Sequence, residues 1–553
     1  MKKILNKHWP IFIILVLTLL ISWSLFLPGY FSHHDDLQVM RIFEMRKCLG
    51  DFQIPCRWVP DMGYGNGYPL FNYYSVFPYY LGAFLSYFLG FLGAAKVLFL
   101  IPLILGAISM YILSRELFGI SGGIIASILY TFAPYRALDT YVRGDVTESF
   151  AIAIVPFCFY FAFKLINNGR IKYIIAFSIS LGLFLLSHNI MIILFIPVFL
   201  LLTIYFLILE KWKNLRSLII SFFLGVGLAA FFIIPAYFEK NLVQIENLIR
   251  LDLNFRAHFV TINQLFFDRF WGYGSSSPGT NDTIAFQIGT PHWWIVIAAF
   301  LITLMKLKSR QKIVLPILLI SIFLLSLFMT HVKSAFIWEK IDILKFTQFP
   351  WRFLALAIFS ASLLGGFLVN NFKLRQMKFV AVTLVVLTII LNWNYFRPKE
   401  FYFGLTDEQK LSGSLWETQQ KAAILDYLPK GAVQPREGAP NTPIIVSGQA
   451  EISNFQKKSN KWGFNAKVSK DAVLEIPIFD FPNWQVKVNN MLTAHISDNY
   501  LGRIEFPLKE GTYLVEGKFT DTFVRKLANG ITLVSLLTLI LITFYGKSRK
   551  LFN

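Results

Sequence analysis

Residues 29–74 read GYFSHHDDLQVMRIFEMRKCLGDFQIPCRWVPDMGYGNGYPLFNYY, and they directly follow an apolar run at 11–27. The stretch begins with paired histidines and paired carboxylates at 33–36, continues through a basic, helical-looking run and ends in a Gly/Tyr/Pro-rich region. Connections of this length are uncommon unless they carry a function. We therefore expect this segment to form half of an active site beside a membrane-spanning helix.

The composition places the chain among polytopic helical membrane proteins. Its 553 residues are 55% hydrophobic, and apolar runs of a length that can cross a bilayer recur from one end to the other. The net charge of +20 would suggest a nucleic-acid partner in a soluble protein. Here Lys and Arg cluster in short loops between apolar runs, so no nucleic acid is expected. The chain also lacks nucleotide-binding and common hydrolase motifs, which argues against nucleotide-driven chemistry.

Thirteen apolar stretches are candidate spans. The stretch 76–91 is short, aromatic and contains Pro78, which favours an interfacial or re-entrant helix over a crossing. Twelve spans remain, and they are predicted at 11–27, 97–114, 120–134, 149–166, 173–187, 190–209, 218–237, 292–305, 313–330, 352–370, 379–395 and 527–545.

The distribution of basic residues predicts that both termini are cytoplasmic. With that orientation, nineteen Lys and Arg fall in inner loops, accompanied only by Glu116 and Glu210. These basic residues are Lys2, Lys3, Lys7, Arg115, Arg170, Lys172, Lys211, Lys213, Arg216, Lys306, Lys308, Arg310, Lys312, Lys373, Arg375, Lys378, Lys547, Arg549 and Lys550. The protein is thus expected in the plasma membrane with an extracytoplasmic active site.

The predicted organisation has three parts. Residues 1–395 form the transmembrane domain, 396–526 an extracytoplasmic β-rich domain, and 527–553 the last span with a basic tail. Alternation of apolar and polar residues at 484–489, 503–508 and 513–519 predicts strands, with a turn after Leu508, and favours a small antiparallel β-sandwich. The long outer loops of the first part are 28–96, 135–148, 238–291 and 331–351.

The carboxylates Asp35 and Asp36 are the candidate catalytic residues, because a carboxylate at the outer mouth of a helix can act as a general base or bind a cation. The alternative is structural, since Ser32, Asp35 or Asp36 could cap the helix that runs to about Leu49. His33 and His34 could ligate a metal, although adjacent residues rarely point at one ion.

Further candidates lie in later outer loops. The second loop concentrates five charges, which could form a substrate site or structural ion pairs. Arg352 follows Phe349-Pro350-Trp351 at the start of a span, where it could bind a lipid-linked phosphate or serve as an interfacial anchor. The candidate substrate-binding residues are His34, Arg136, Arg143, Asp145, Glu148, His188 and Arg352.

Three cysteines are present. Cys158 lies in an apolar run and is most simply a small buried residue. Cys48 and Cys56 share the first outer loop and could pair in an oxidising compartment, but their spacing leaves this open.

Four stretches together resemble a known family. They are HHDDLQVMRIFEMRKCLGDFQIPCRWVPDMGYGNGYPLFNYYSVFPYYLG, TFAPYRALDTYVRGDVTESFAIAIVPF, LLSHNIMIIL and FPWRFLALA. They look like the bacterial integral membrane family labelled "6-pyruvoyl-tetrahydropterin synthase-related", which is similar to the GT-C glycosyltransferases. No zinc-binding histidine set supports the pterin chemistry of the label.

The resemblance implies a GT-C-like fold and an inverting transfer of sugar from a polyprenyl-phosphate donor to a glycan, lipid or protein acceptor in the cell envelope. It implies that Asp35 or Asp36 is the base or a metal ligand, that Asp145 or Glu148 supplies a second acid, and that Arg352 contacts phosphate. A divalent cation, Mg²⁺ or Mn²⁺, would be held by Asp35, Asp36 and Glu148. The HHDD run lacks a separated DxD pattern, so the motif itself does not establish that a metal is needed. A flippase of lipid-linked saccharides and a non-catalytic envelope scaffold are the alternatives.

Overall fold

The computed structural model describes residues 2–250, 253–278, 282–306 and 313–551, which form a bundle of apolar helices with a β-sheet before the last helix. In chain order the helices are α1 (Lys2–Ile21), α2 (Gln38–Gly50), α3 (Leu70–Tyr73), α4 (Phe77–Thr131), α5 (Pro134–Ala137), α6 (Val146–Asn168), α7 (Ile171–Leu185), α8 (Asn189–Leu209), α9 (Leu215–Leu228), α10 (Ala230–Phe238), α11 (Ile262–Phe266), α12 (Thr290–Met305), α13 (Val314–Thr330), α14 (Ala335–Lys340), α15 (Asp342–Lys345), α16 (Leu354–Val369), α17 (Leu374–Asn392), α18 (Asp407–Lys410), α19 (Gly413–Lys421) and α20 (Phe523–Leu551).

All twelve predicted spans lie mainly in helix. Among the described residues, six helices are long and apolar enough to cross a membrane, and the number rises to eight if two bent pairs count as one span each. One pair is α9 with α10, bent by 71°, and the other is α13 with the helical residues that follow it, bent by 92°. The remaining apolar helices are shorter, so a total of twelve crossings stays a prediction.

Helix α4 is interrupted at Gly90 and Gly119, where φ is 69° and 77°. These breaks separate helices at 77–89, 91–118 and 120–131, close to the predicted boundaries of the interfacial helix and the next two spans. At Gly90 a side chain is excluded, because a Cβ would lie 2.5 Å from the carboxylate of Asp407. That carboxylate accepts hydrogen bonds from the backbone N–H groups of Phe91 (2.6 Å) and Leu92 (2.8 Å), and so caps the second helix.

Helix α16 is the central helix of the bundle, and every one of its residues is buried. Its sequence, LALAIFSASLLGGFLV, is apolar on all sides, which is typical of a helix surrounded by other helices. It packs against α4, α12 and α13. The turn of 3₁₀-helix before it, Pro350–Phe353, therefore holds Trp351 and Arg352 at the centre of one end of the bundle.

The predicted outer segments lie together at that end. The segment 28–96 contacts the turn between α7 and α8, where Val76 N–H donates to Leu186 O (3.2 Å). The segments 331–351 and 238–291 contact each other, because Gln348 donates to Leu248 O (3.1 Å). Predicted inner loops lie at the other end, where Lys164, near the end of α6, pairs with Glu116 at 2.8 Å. Which compartment each end faces stays a prediction from the basic residues. Of these, Lys308, Arg310 and Lys312 lie outside the described residues, as do the side chains of Lys2, Lys3, Lys7, Lys547, Arg549 and Lys550.

The strands form two antiparallel sheets. Strand β1 (Tyr30–Phe31) pairs with β2 (Phe401–Tyr402), which joins the first segment to the end of α17. A six-stranded sheet has the order β3-β4-β8-β5-β6, with β7 paired to β4. Its strands are β3 (Ile444–Lys457), β4 (Lys461–Phe479), β5 (Trp484–Val488), β6 (Met491–Thr493), β7 (Arg503–Leu508) and β8 (Gly511–Phe519).

The three predicted strands are confirmed as β5, β7 and β8, with the expected alternation of buried and exposed residues in β5. The predicted sandwich of two sheets is not observed in the described strands. Strand β4 is 19 residues long and pairs first with β8 and then with β7, so one continuous ladder holds all six strands together.

The six-stranded sheet packs against the segment 28–96. Trp58 contacts Trp484 and Phe519, with ring centroids 5.7 Å from each. In the same segment a disulfide joins Cys48 to Cys56, which resolves the pairing that the spacing left open.

An ionic network joins the start of α20 to the segments 28–96 and 238–291. Arg525 donates to Glu239 at 2.8 Å, and Asn72 donates to the same carboxylate at 3.0 Å. Arg57 lies 3.3 Å from Asp521 and donates to Asn529 of α20. The last helix is therefore fixed through the buried pair of Arg525 and Glu239 and through the half-buried Asp521.

Candidate functional site

A cavity of about 1000 Å³ lies where the polar segments meet. It is large enough for a drug-sized ligand. Six of the nine predicted site residues line it, namely His34, Asp35, Arg143, Asp145, His188 and Arg352. Other polar lining residues include Arg41, Tyr73, Tyr74, His258, Gln348, Asp426 and Tyr427, and apolar ones include Ile190, Ile193 and Ala236.

The first and second polar segments are held together by backbone hydrogen bonds. His34 N–H donates to Val142 O (2.9 Å) and Asp35 N–H to Arg143 O (2.8 Å). Beside them Gly144 has φ 72°, and a Cβ there would lie 2.2 Å from His33 Nδ1. The preceding residues, Leu138–Arg143, form a π-helical turn, a feature found often at functional sites. This pairing brings Asp35 beside the charged second segment.

The two carboxylate oxygens of Asp35 differ in their hydrogen bonds. Its Oδ2 accepts hydrogen bonds from Arg41 Nη1 (2.6 Å) and Gln38 Nε2 (3.0 Å). Arg41 is buried and stacks on Tyr74 at 4.3 Å. Among the described residues, no group donates to Asp35 Oδ1. The carboxylate is thus oriented by fixed donors and retains an acceptor toward the cavity.

Asp36 has different surroundings and does not line the cavity. Its Oδ2 accepts from Lys410 Nζ at 2.6 Å. The alternative that Ser32, Asp35 or Asp36 caps the following helix is wrong, because α2 begins after Leu37 and receives no side-chain cap. Position and partners therefore separate two carboxylates that the sequence presents as equivalent.

His33 and His34 point at different partners. His33 Nε2 lies 3.1 Å from the Tyr30 hydroxyl, and burial lowers the pKa of His33 to about 4. His34 Nε2 lies 2.9 Å from Tyr273 O, which requires a protonated Nε2. The two rings are therefore not arranged to hold one metal ion.

Arg143 joins three carboxylates of its own segment. It contacts Asp139, and it donates to Asp145 at 2.9 Å and to Glu148 at 3.0 Å. Its guanidinium lies over Trp351, 4.7 Å from the ring centroid. Burial raises the pKa of Asp139 well above its ordinary value, and repulsion from Glu148 raises it further.

Arg352 connects this cluster to α16. Its Nε donates to Glu148 Oε2 at 3.2 Å, and its Nη1 donates to Thr347 O and Gln348 Oε1. Its Nη2 lies 3.9 Å from Asp145 and makes no hydrogen bond within the described part of the chain. Arg352 therefore keeps one donor available to a ligand in the cavity. Glu148 itself is fully buried beneath the cavity wall and supports both arginines.

Asp145, Glu148 and His188 form a group with metal-ligand spacing, because one ligand atom from each lies within 4.8 Å of the others. It differs from the predicted set of Asp35, Asp36 and Glu148, which the structure does not bring together. Although burial opposes it, Arg143 lowers the pKa of Asp145 below its ordinary value, with His188 and Arg352 adding to the effect. Burial lowers the pKa of His188 to about 4, so this ring is neutral.

As arranged, this group does not fit a metal ion. The oxygens of Asp145 accept from Arg143, Thr147 Oγ1 and the Glu148 N–H. Those of Glu148 accept from Tyr135, Arg143 and Arg352. His188 Nδ1 accepts from Met191 N–H, which leaves the proton of the neutral ring on Nε2. A cation would have to displace an arginine and change the histidine tautomer.

Arg136 lies outside the cavity wall. It is fully buried, and it donates to Pro102 O (2.8 Å) and Ser149 O (3.1 Å). It joins α4 to α6. The prediction that Arg136 contacts substrate does not agree with this position.

Residues 71–398 match the family described as "6-pyruvoyl-tetrahydropterin synthase related domain; membrane protein". The match covers more than half of the chain. The chain belongs to this family. The family match confirms the resemblance that the sequence motifs predict, and it shows a membrane protein. The matched region holds Arg143, Asp145, Glu148, His188 and Arg352, whereas Asp35 and Asp426 lie on either side of it. No curated protein matches the chain.

Several solved structures resemble this family member at low identity. One is ArnT from Cupriavidus metallidurans bound to undecaprenyl phosphate, with TM-score 0.39, 11% identity and coverage of 68% of this chain and 63% of that chain. Another is arabinofuranosyltransferase AftD from Mycobacteria, with TM-score 0.44, 11% identity and coverage of 72% and 28%.

A third is the oligosaccharyltransferase AglB from Archaeoglobus fulgidus in complex with an inhibitory peptide and a dolichol-phosphate, with TM-score 0.41, 13% identity and coverage of 72% and 57%. The present chain thus covers about a quarter to two thirds of the length of these three proteins.

The cavity also contains residues that the sequence did not single out. Asp426 comes from the segment before the large sheet, in the 3₁₀ turn Ile424–Asp426, and its carboxylate has no hydrogen bond or ion pair among the described residues. Burial raises the pKa of Asp426 to about 6. Next to it Tyr427 stacks on Tyr73, with ring centroids 5.6 Å apart. No local pattern in the sequence distinguishes these residues, because they lie at the end of a short 3₁₀ turn between α19 and the large sheet.

Proposed function

We propose that this protein is a membrane glycosyltransferase that moves a sugar from a polyprenyl-phosphate donor to a hydroxyl acceptor of the cell envelope. The observation that carries the proposal is the cavity that joins an open carboxylate oxygen, on Asp35, to an open guanidinium donor, on Arg352. These are the two groups that an inverting transfer needs, a base for the acceptor and a positive charge for the departing phosphate.

In the proposed reaction, Asp35 Oδ1 takes the proton from the acceptor hydroxyl as its oxygen attacks the anomeric carbon. The bond between that carbon and the phosphate oxygen breaks, and the polyprenyl phosphate leaves with the electron pair. Arg352 Nη2 donates to the phosphate, while Glu148 holds this guanidinium in place at 3.2 Å. Arg41 and Gln38 fix the orientation of Asp35 throughout. Asp36, bound to Lys410, takes no part.

The prenyl chain needs an apolar route to the cavity. Ile190 and Ile193 of α8 and Ala236 of α10 form part of the cavity wall. Next to Ala236 the side chains of Tyr237 and Phe238 are exposed, as expected for residues that face lipid. We place the entry of the donor between α8 and α10, and we place the cavity on the extracytoplasmic side, with both termini in the cytoplasm.

We assign no step to Mg²⁺ or Mn²⁺. Arg143 and Arg352 already supply positive charge to Asp145 and Glu148, the carboxylates with the closest metal-like spacing. In this arrangement the two arginines provide the electrostatic stabilisation of the leaving phosphate.

Two variants of neighbouring carboxylates test the assignment of the base. We expect Asp35→Asn to lower the transfer rate by roughly 10²–10⁴-fold, the usual contribution of a general base. Asp36→Asn should retain most of the activity, since its partner is Lys410. The measurement is transfer by purified protein from polyprenyl-phosphate-linked sugars, with thermal stability as the check on folding. A wild-type rate for Asp35→Asn would refute its role as base.

Binding of the lipid product tests the phosphate site separately. Arg352→Gln should weaken binding of undecaprenyl phosphate by about tenfold or more, because a charge-assisted hydrogen bond is lost. Arg256→Gln is the matched control, since Arg256 is exposed and its ion pair within the described part of the chain is with the exposed Glu339. Asp35→Asn should bind the lipid normally. If both arginine variants bind equally well, the lipid phosphate lies elsewhere.

A further inference from the structure

A second hollow, of about 570 Å³, lies on the open face of the large sheet, away from the cavity of the proposed active site. Strands β4, β8 and β5 form its floor, and the end of β3 forms one side. The opposite face of the same strands is buried, and Trp484 and Phe519 of that face pack on Trp58. The open face has no such covering among the described residues.

Positive charge is concentrated in this hollow. Residues 444–519 contain nine Lys and Arg against eight Asp and Glu, so the sheet as a whole is almost neutral. The hollow, however, is lined by four lysines and a single carboxylate, Lys458, Lys461, Lys487, Lys518 and Glu516. Lys458 lies 3.9 Å from Asp51, whereas the other three lysines form no ion pair with any described residue.

Two of these lysines are directly opposed. Lys461 of β4 is the cross-strand partner of Lys518 of β8, and Gln485 of β5 continues the same row. Like charges at directly opposite positions of an antiparallel pair destabilise a sheet. The carboxylate of the hollow, Glu516, lies opposite Lys487 and not between these two lysines. A feature that costs stability points to a function, because natural proteins depart from such rules mainly at their sites.

The remaining lining residues are suited to a saccharide. Amide side chains come from Asn454, Gln456, Asn465 and Gln485, and each offers donors and acceptors to hydroxyl groups. Gly463 is the third residue of β4 and lies on this face, and a strand glycine often marks the close approach of a ligand.

We propose that this hollow binds an anionic saccharide, a glycan segment that carries phosphate or carboxylate groups. The lysines would neutralise the acidic groups, and the amides would bind the hydroxyl groups between them. The hollow lacks the exposed aromatic rings on which bases of single-stranded nucleic acid stack. The proposal does not depend on transferase activity, since it concerns a separate surface.

Binding by the full-length protein in phosphatidylcholine nanodiscs tests the proposal. The probe is polygalacturonate, a carboxylate-bearing glycan, and dextran is the neutral comparison. We expect the triple variant Lys461→Gln, Lys487→Gln, Lys518→Gln to bind polygalacturonate at least about tenfold more weakly, as for the loss of three exposed charge contacts. The control removes three exposed lysines elsewhere, Lys399→Gln, Lys421→Gln and Lys509→Gln, and should bind as the wild type does.

Three results would overturn the proposal. The first is equal binding by the two triple variants. The second is equally tight, lysine-dependent binding of inorganic polyphosphate, which would show recognition of charge without a saccharide. The third is lysine-dependent binding to phosphatidylglycerol vesicles without binding of polygalacturonate, which would assign the hollow to the membrane surface. Lys461→Gln alone should not lower the midpoint of thermal unfolding, because it removes a like-charge pair, so weakened binding would not reflect misfolding.

Discussion

Arg143 is the residue that connects most of the candidate site. It is buried, it neutralises carboxylates on its own segment, and its guanidinium stacks on Trp351 at the start of α16. Its backbone carbonyl also receives the N–H of Asp35. One residue therefore sets both the charge of the cavity and the position of the proposed base.

At the scale of single residues, the ionisation of Asp426 should make the stability of the protein depend on pH. Its pKa is raised from 3.8 to about 6, so the folded protein binds its proton more tightly than the unfolded chain does. The stability that this proton confers is complete below pH 4 and is lost as pH rises through 6. We expect Asp426→Asn, which cannot ionise, to raise the midpoint of thermal unfolding relative to wild type at pH 7.5 more than at pH 4.5.

The matched control for that comparison is Asp498→Asn, which changes an exposed carboxylate. Its midpoint should follow the wild-type midpoint at both pH values. A difference between Asp426→Asn and wild type that does not change with pH would show that burial does not perturb this group.

The sequence predicted individual site residues unevenly, for a physical reason. The motifs pointed to six residues that line the cavity, because each lies in a polar stretch at the end of an apolar run. They are His34, Asp35, Arg143, Asp145, His188 and Arg352. The motifs could not separate Asp35 from Asp36, since that distinction comes from Lys410, which is 374 residues away in the chain. They also placed Arg136 among the substrate contacts, although only the packing of α4 on α6 shows that it is buried.

At the scale of elements, helix 91–118 depends on a cap that comes from another part of the chain. Asp407 accepts from the first two N–H groups of this helix, and removing such a cap typically costs about 1 kcal/mol. We expect Asp407→Ala to lower the midpoint of thermal unfolding in detergent. Glu408→Ala, which removes the adjacent carboxylate that caps nothing, should leave the midpoint unchanged. Equal midpoints for the two variants would contradict the role of the cap.

Helices and strands could be predicted from the sequence more completely than the pairing between strands. Apolar runs identify helices directly, and the break at Gly90 follows from the aromatic stretch at 76–91. The single sheet was not predictable, because alternation along a strand does not reveal its partners. Strand β4 exchanges β8 for β7 halfway along its length, and this joins what would otherwise be two sheets.

At the scale of the whole molecule, the buried pair of Arg525 and Glu239 attaches the last helix to the polar end. Neither side chain is more than 5% exposed. Removing one partner leaves the other charged and buried, which costs roughly 3–5 kcal/mol. Glu239→Gln should therefore lower the midpoint of thermal unfolding strongly.

The exposed pair of Lys430 and Glu246 is the comparison, with the lysine 62% exposed. Glu246→Gln should change stability by at most about 1 kcal/mol, as is usual for surface pairs. If the two glutamine variants unfold at the same midpoint, the last helix is not held by this network.

The short pairing of β1 with β2 has a consequence for biosynthesis. The partners of Tyr30 and Phe31, which are Tyr402 and Phe401, are synthesised about 370 residues later. Lys410 and Asp426, which face the same early segment, follow later still. A nascent chain must therefore keep the segment that contains β1 unpaired while the intervening helices are synthesised. We expect this protein to rely on factors that shield such segments while the remaining helices are inserted.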